Sequence, residues 1–343
     1  MPTVNRTWSE LISDLLAGRE LTPEDVWWAM DGVVSGSVTS AQASGFLVAL
    51  RAKGETPDEI TAMASALRQH ATSVTIPGSF VDIVGTGGDG TGAINVSTMA
   101  AIVAASTGVT VVKHGGRAAS SQAGGSADLV EHLGIPLDLS PADAVRVAKT
   151  AGITYLFAPR FNPALRHVAA VRRELGVPTA FNVLGPLLNP ADPVYQLVGV
   201  ADARMQPVLA AALASRGSTA LVVRGDDGLD KLTTTTTSRV WVVRNGRVTP
   251  SSLDPGALGL ARSPLAALRG GTSAANAEVL RSVLAGDPGP ARDVVLLNAA
   301  AAVAVVRLTD EPLVEQLAVA LEHCAEAVDS GRAAATLGRW IAG

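Results

Sequence analysis

Between Asp82 and Gly134 the chain gathers the residues best suited to hold an anion. Gly85-Thr86-Gly87-Gly88-Asp89-Gly90 is a loop whose four glycines expose backbone N–H groups and admit a ligand close to the main chain. Asn95-Val96-Ser97-Thr98 follows and offers polar caps to an apolar helix that runs on from Met99. A helix start presents unpaired N–H groups and partial positive charge to an anion. A second group follows: Lys113-His114-Gly115-Gly116-Arg117, then Ser120 and Ser121, then Gly124-Gly125-Ser126-Ala127-Asp128 opening another helix. One glycine-rich loop is equally well explained by a tight turn. Two in series, each with Ser or Thr at a helix start and one with cations, point to an extended polyphosphate.

These loops need strands beneath them. Val81-Asp82-Ile83-Val84 reads as a buried strand end, and Val109-Thr110-Val111-Val112 as a second strand. Tyr155–Phe157, Gln196–Val200, Ala220–Val223 and Arg239–Val243 are further short β-branched or apolar runs, expected to alternate with helices such as Pro141–Ala151 and Ala203–Ser215. That alternation predicts an α/β fold with a central, mostly parallel sheet flanked by helices. The five threonines Thr233–Thr237 favour a strand or the approach to one. Leu260 to Gly343 reads as mainly helical, broken at Gly270-Gly271 and from Gly286 to Pro290.

From Thr7 to about Thr72 the pattern is helical throughout. Thr22-Pro23-Glu24-Asp25 and Thr56-Pro57-Asp58-Glu59 each place Thr at the N-cap, Pro at N1 and an acid at N3. Ala43, Phe46, Leu47 and Leu50 keep helical spacing between them. Trp27 and Trp28 are adjacent, and a core role is expected for both. The division is therefore 1–73 as a small all-helical domain and 74–343 as the α/β domain.

The 343 residues are 48% hydrophobic, enough for a sizeable core. The single cysteine, Cys324, excludes an internal disulfide framework and suits a reducing cytoplasm. The first residues lack a basic-then-apolar signal pattern, and no apolar run approaches the ~20 residues that span a bilayer. A net charge of −4, with 27 Lys and Arg against 31 Asp and Glu, disfavours a nucleic-acid partner.

The motifs VGTGGDG (84–90), NVST (95–98), KHGGRAASS (113–121), VRRELG (171–176), FNVLGPLLNPA (181–191) and GDDGLDK (225–231) together resemble the anthranilate phosphoribosyltransferase family. FLVALRAKGETPDEITAM resembles its helical domain, and GGTSAANAEVL with DVVLLNAAAAV its C-terminal helices, so the resemblance covers most of the chain. The resemblance implies a small helical domain that dimerises, contributes to the acceptor cleft and takes in a segment near 165–185. It implies a larger domain of the nucleoside phosphorylase and phosphoribosyltransferase type. The implied reaction moves phosphoribose from phosphoribosyl pyrophosphate to the amino group of anthranilate, releases pyrophosphate, depends on magnesium and serves tryptophan biosynthesis.

Position by position, the resemblance assigns the sugar pyrophosphate to Gly85, Gly88, Asp89, Asn95, Val96, Ser97 and Thr98. It adds Lys113, His114, Gly115, Gly116, Arg117, Ala118, Ala119, Ser120, Ser121 and Gly125. Ser97 and Asp230 would be magnesium ligands. The acceptor would meet Gly85, Gly116, Asn162 and Arg172, whose planar guanidinium suits a carboxylate; Arg173 remains a solvated surface residue. An aryl amine is uncharged near neutral pH, so no catalytic base is assigned, and His114 is expected to be a packed residue at a strand end.

Several positions depart from the family pattern. The family's Asp-Glu metal pair is Asp230-Lys231 here, and an ammonium has three donors and no acceptor. A family Asn is Gly116, a His is Asn162, a Thr is Ala93 and another His is Arg224. Three readings follow: anthranilate with fewer contacts and one metal, a different aromatic or nitrogen acceptor, or a non-catalytic or nucleic-acid-binding paralogue. A pyrimidine nucleoside phosphorylase shares the broad architecture and fits these motifs less well. Lys231 either replaces a second magnesium or points to solvent.

Overall fold

The computed structural model describes residues 6–117 and 124–343. The chain opens with helices α1 (Trp8–Leu16), α2 (Pro23–Ser35), α3 (Ser40–Lys53) and α4 (Pro57–Gln69). Thr7, Thr22, Thr39 and Thr56 sit extended at the four N-caps, and each side chain accepts the backbone N–H three residues on. Each such cap contributes about 1 kcal/mol by satisfying a donor that the helix leaves open. Glu59 accepts the Thr56 N–H in return and also receives the Leu21 N–H and the Lys53 ammonium, which ties α4 to α3 and to the entry of α2. Trp27 and Trp28 are only half-buried, so the expected core role is partial for both. Trp28 leans on Trp8, with ring centroids 5.0 Å apart.

After this bundle come β1 (Phe80–Gly85), α5 (Val96–Ser106), β2 (Thr110–Gly115), α6 (Ser126–His132), α7 (Pro141–Ala151) and β3 (Ile153–Phe157). The short α8 (Ala158–Phe161), α9 (Arg166–Leu175) and α10 (Phe181–Leu184) lead to β4 (Tyr195–Gly199), α11 (Met205–Ser215) and β5 (Thr219–Gly225). The hairpin β6 (Ser238–Arg244) and β7 (Arg247–Leu253) precedes α12 (Ser273–Ala285), α13 (Pro290–Val305), α14 (Leu313–Asp329) and α15 (Arg332–Ala342). Among the described residues the strands form one seven-stranded sheet in the order β3-β2-β1-β4-β5-β6-β7. β3 through β5 pair in parallel, and β6 and β7 add antiparallel.

Alternation along the strands sends apolar side chains to two cores. Leu197, Leu221 and Val223 face a core shared with α5, α13 and α14, while Val198, Val200, Ala220 and Val222 face one shared with α1–α4 and α11. Val168 and Val171 of α9 join the second core, where α9 packs on α2 and α3.

One strand goes beyond the expected set, and the threonine run takes one of its two expected roles. β7 was not anticipated; its Asn245-Gly246 turn, with φ of 52° and 71°, is the hairpin signal that identifies it. Pro250 lacks an N–H and is tolerated because β7 is an edge. The threonine run is the approach to β6 and not a strand. Thr233 and Thr235 turn inward and donate their hydroxyls to the Asp227 carboxylate.

Candidate functional site

β1 continues to β2 on one side, and the chain returns to place β4 on the other. Strand order thus reverses between β1 and β4, and in open α/β sheets ligands bind beyond the strand ends at such a point. A cleft of about 890 Å³ opens there, lined by the ends of β1, β2, β4 and β5 and by the first turn of α5.

The first wall is the loop after β1. Gly87 and Gly88 have φ of 68° and 78°, a conformation that residues with a Cβ resist. Gly85 is needed for a different reason: a Cβ there would lie 2.3 Å from Asp230 Oδ2. Gly199, at the end of β4, is tighter still, with the Asp230 carbonyl oxygen 1.6 Å from where its Cβ would be. These two glycines let the segment carrying Asp230 and Lys231 lie directly on the strand ends. Asp230 Oδ2 accepts the Gly87 N–H at 2.8 Å. Asn298 of α13 grips the same segment from behind, its Oδ1 accepting the Leu232 N–H and its Nδ2 donating to the Leu232 carbonyl.

Lys231 does not point to solvent. Its ammonium donates to Asp89 Oδ2 at 2.8 Å and to Asp230 Oδ1 at 2.6 Å, with the side chain 14% exposed. Burial pushes the Lys231 pKa down, but the two carboxylates more than reverse this and hold it above the usual lysine range. Burial raises the Asp89 carboxyl and Lys231 outweighs it, leaving Asp89 below the usual range. Asp230 lies deeper, and its burial leaves it raised despite the same ammonium. Asp89 Oδ1 meanwhile holds the Thr91 N–H and hydroxyl, so the tip of the glycine loop is fixed from both ends.

The second wall is the end of β2. Lys113 is buried; its Nζ donates to the Ile83 carbonyl at 2.5 Å and to Ser97 Oγ at 3.1 Å. Burial pushes the Lys113 pKa down to about 8 against the pull of Asp82 and Asp230. Asp82, also buried, is pushed up to about 6, opposed by Lys113 and by the Asn189 amide, which donates to it. His114 is packed as expected. Burial pushes its pKa down to about 4, and its Nε2 pairs with Asn162 Nδ2 at 3.1 Å.

Asn95 stands at the N-cap of α5 without capping it; its Oδ1 is buried with no partner among the described residues, and it lines the cleft. Val96 and Ser97 line the cleft beside it, whereas Thr98 is fully buried behind them. Gly115, Gly116, Arg117 and Gly125 also line the cleft. Arg117 pairs with Asp128 and Glu131 of α6. Ala118, Ala119, Ser120 and Ser121 lie outside the described residues.

At the far end the cleft is closed by Ala158, Leu165, Arg172, Phe181 and Asn182. Arg172 forms no ion pair among the described residues; its guanidinium lies over the Phe181 ring, 5.6 Å from the centroid, and burial lowers its pKa. Gly116 is open: among the described residues a Cβ there would meet only Ala158 Cβ, at 3.8 Å. Asn162 does not line this end. It is 4% exposed, and its amide is held by His114 and the Leu188 carbonyl behind the wall. Ala93 lines the cleft and bridges to Arg269, while Arg224 donates to the Ala201 carbonyl in a neighbouring recess. Asn189, Asn298 and Phe181 were not anticipated from sequence. The two asparagines lie in helical or loop runs of apolar residues, where a lone amide is the visible signal.

Residues 77–334 match the family described as glycosyl transferase family, a/b domain, and residues 9–71 match its helical bundle domain. The chain is 55% identical over 337 residues to an anthranilate phosphoribosyltransferase of Streptomyces griseus, covering 98% of this chain and 95% of that one. It is 54% identical to that of Thermobifida fusca, covering 98% and 96%. The crystal structure of anthranilate phosphoribosyltransferase from Thermus thermophilus superimposes with a TM-score of 0.89 at 42% identity, covering 97% and 98%. The Saccharomyces cerevisiae enzyme in complex with PRPP and Mg gives 0.88 at 30% identity, covering 98% and 97%.

Proposed function

The chain belongs to the anthranilate phosphoribosyltransferases, and from that membership we propose how this cleft performs the transfer. Phosphoribose passes from phosphoribosyl pyrophosphate to the amino group of anthranilate, with release of pyrophosphate, as a step of tryptophan biosynthesis. The observation that supports this most directly is one cleft with two ends of different character, each offering cationic groups. One end is a glycine loop, a helix start and two lysines; the other is an arginine, without an ion pair among the described residues, stacked on an aromatic ring.

The diphosphate lies along the loop N–H groups and the first turn of α5, beside Lys113, and the ribose lies between Asn95 and Gly116. Asn95 Oδ1, buried and without a partner among the described residues, accepts a ribose hydroxyl. The anthranilate carboxylate takes the planar fork of Arg172, and its ring packs by Phe181. Binding both molecules in line converts the encounter into a step within one complex. As the C1–O bond breaks, positive charge grows on the sugar and negative charge on the leaving diphosphate. Preorganised N–H dipoles and ammonium groups stabilise the latter. The attacking amine is neutral, so Arg172 and the apolar wall need only orient it, and its proton leaves to solvent after the bond forms.

The donor set fits one magnesium. Ser97 Oγ, fixed by Lys113, offers a lone pair toward the cleft, whereas Asp89 and Asp230 are already engaged by Lys231. No group of three or more His, Cys, Asp or Glu able to hold a metal occurs among the described residues. Ser97 would hold the magnesium ion, which would supply Lewis-acid neutralisation of the leaving diphosphate.

We assign 1–73 with the α9 region to a helical unit that dimerises, and 74–343 to the catalytic unit; the packing of α9 on α2 and α3 supports that grouping. No helix among the described residues is long and apolar enough to cross a membrane, and the free, buried Cys324 agrees with a cytoplasmic setting. The test is anthranilate fluorescence against time with purified protein, phosphoribosyl pyrophosphate and magnesium. A loss of fluorescence that requires all three is expected. Donor binding without any loss would replace anthranilate by another acceptor.

A further inference from the structure

We propose that the Lys231 ammonium is a built-in replacement for a divalent cation at the diphosphate end of the cleft. The inference rests on the donor assignment above. Two carboxylates, Asp89 from the glycine loop and Asp230 from the segment between β5 and β6, lie within 2.8 Å of one point, and at a diphosphate site such a pair is a natural position for a metal. Here Nζ of Lys231 occupies that point. The arrangement is built in: Gly85 and Gly199 admit the segment, Asn298 clamps its backbone at Leu232, and Gly87 orients the Asp230 carboxylate.

Charge explains what this achieves. Two ionised carboxylates and one ammonium carry a net −1, where an acidic residue in place of Lys231 would leave −3 beside a polyanionic substrate. At −3 the site repels diphosphate until divalent ions bind; at −1 it needs fewer. An ammonium carries three N–H donors, and two of them face Asp89 and Asp230. The third is available to a diphosphate oxygen. Lys231 therefore does two jobs: it holds the glycine loop in its receiving shape before the substrate arrives, and it contributes fixed positive charge once the substrate is bound. A metal with ligands at about 2.0–2.1 Å would have to expel the ammonium from between its partners.

The test counts metal directly. Manganese replaces magnesium as the probe, and electron paramagnetic resonance measures bound Mn²⁺ per chain at saturating inorganic pyrophosphate. Calorimetry in parallel follows pyrophosphate affinity against free Mg²⁺. The wild-type protein is expected to hold one Mn²⁺ per chain. Lys231→Glu is expected to hold two, with a steeper dependence of affinity on Mg²⁺. Lys231→Met is expected to weaken pyrophosphate at least tenfold at fixed Mg²⁺. Two Mn²⁺ on the wild-type protein would overturn the proposal without any variant. So would an unchanged count and Mg²⁺ dependence in Lys231→Glu, or pyrophosphate affinity within twofold of wild type in Lys231→Met. Wild-type protein that binds no pyrophosphate at any Mg²⁺ concentration would instead overturn the donor assignment beneath it, and the inference with it.

Discussion

Gly85→Ala adds one methyl group at the centre of the site, and its effect follows from the geometry. The new Cβ would lie 2.3 Å from Asp230 Oδ2, 3.0 Å from Cγ and 3.3 Å from the Asp230 carbonyl oxygen. Ordinary contact requires the carboxylate to retreat by about 1 Å. The backbone beneath cannot follow, because the Asp230 carbonyl already lies close against Gly199 and Asn298 holds Leu232. The carboxylate must therefore rotate, losing the Gly87 N–H and loosening Lys231. Loss of one charge-assisted hydrogen bond at a buried carboxylate costs about 2 kcal/mol. A shift of about 1 Å in a positioning group lowers turnover by about 100-fold. The anthranilate fluorescence assay measures kcat/KM, and thermal unfolding by circular dichroism measures stability. Gly338→Ala is the control: this position on α15 has nothing within 4 Å of an added Cβ, so activity should stay unchanged while stability rises by about 0.5–1 kcal/mol. A folded Gly85→Ala protein with kcat/KM within twofold of wild type would refute the reasoning.

Arg172→Lys keeps a charge but loses the planar fork, so KM for anthranilate should rise about tenfold or more, while calorimetric affinity for phosphoribosyl pyrophosphate stays put. Asn298→Ala leaves the Leu232 N–H and carbonyl unpaired in a buried place, which should cost about 2–4 kcal/mol in a denaturant titration and lower pyrophosphate affinity through Lys231. His114 should remain neutral down to about pH 4 in an NMR titration of the ring, since burial sets its pKa. The sign of the linked stability follows. Between the folded value of about 4 and the ordinary histidine value of 6.5, the unfolded chain binds a proton that the native state refuses, so stability falls as pH drops through that window. His114 charged above pH 6 in the folded protein would contradict this. Gly116→Asn should be accommodated, since among the described residues only Ala158 lies near an added Cβ, and should lower KM for the acceptor.

Local signals carried the strand ends, the glycine loops and the N-caps of the first four helices, because each depends on residues a few positions apart. The α/β reading and the two glycine-rich walls at β1 and β2 were legible for that reason. What joins distant segments was not. Asp89 and Lys231 meet across the sheet, and no local pattern distinguishes a lysine between two carboxylates from one in solvent. Asn162 follows α8 near the acceptor end yet faces inward to His114, a matter of how α8 turns after β3. Thr98 sits one position past Ser97, and the helical rotation of about 100° per residue carries it from the cleft to the core. The Asn245-Gly246 signal of the last hairpin is local as well and stands in the sequence.

The sharing of one apolar core by α1–α4 and the far side of the sheet has a consequence for synthesis on the ribosome. α4 ends at Gln69, but α11, which packs on it, begins only at Met205. The first helices therefore emerge with an oily flank that the chain itself covers only after β4, α11 and β5 have been made. During that interval the exposed flank favours association between neighbouring nascent chains. A circular permutant that made α1–α4 last would shorten the exposure, because the covering surface would already be folded when the helices arrived.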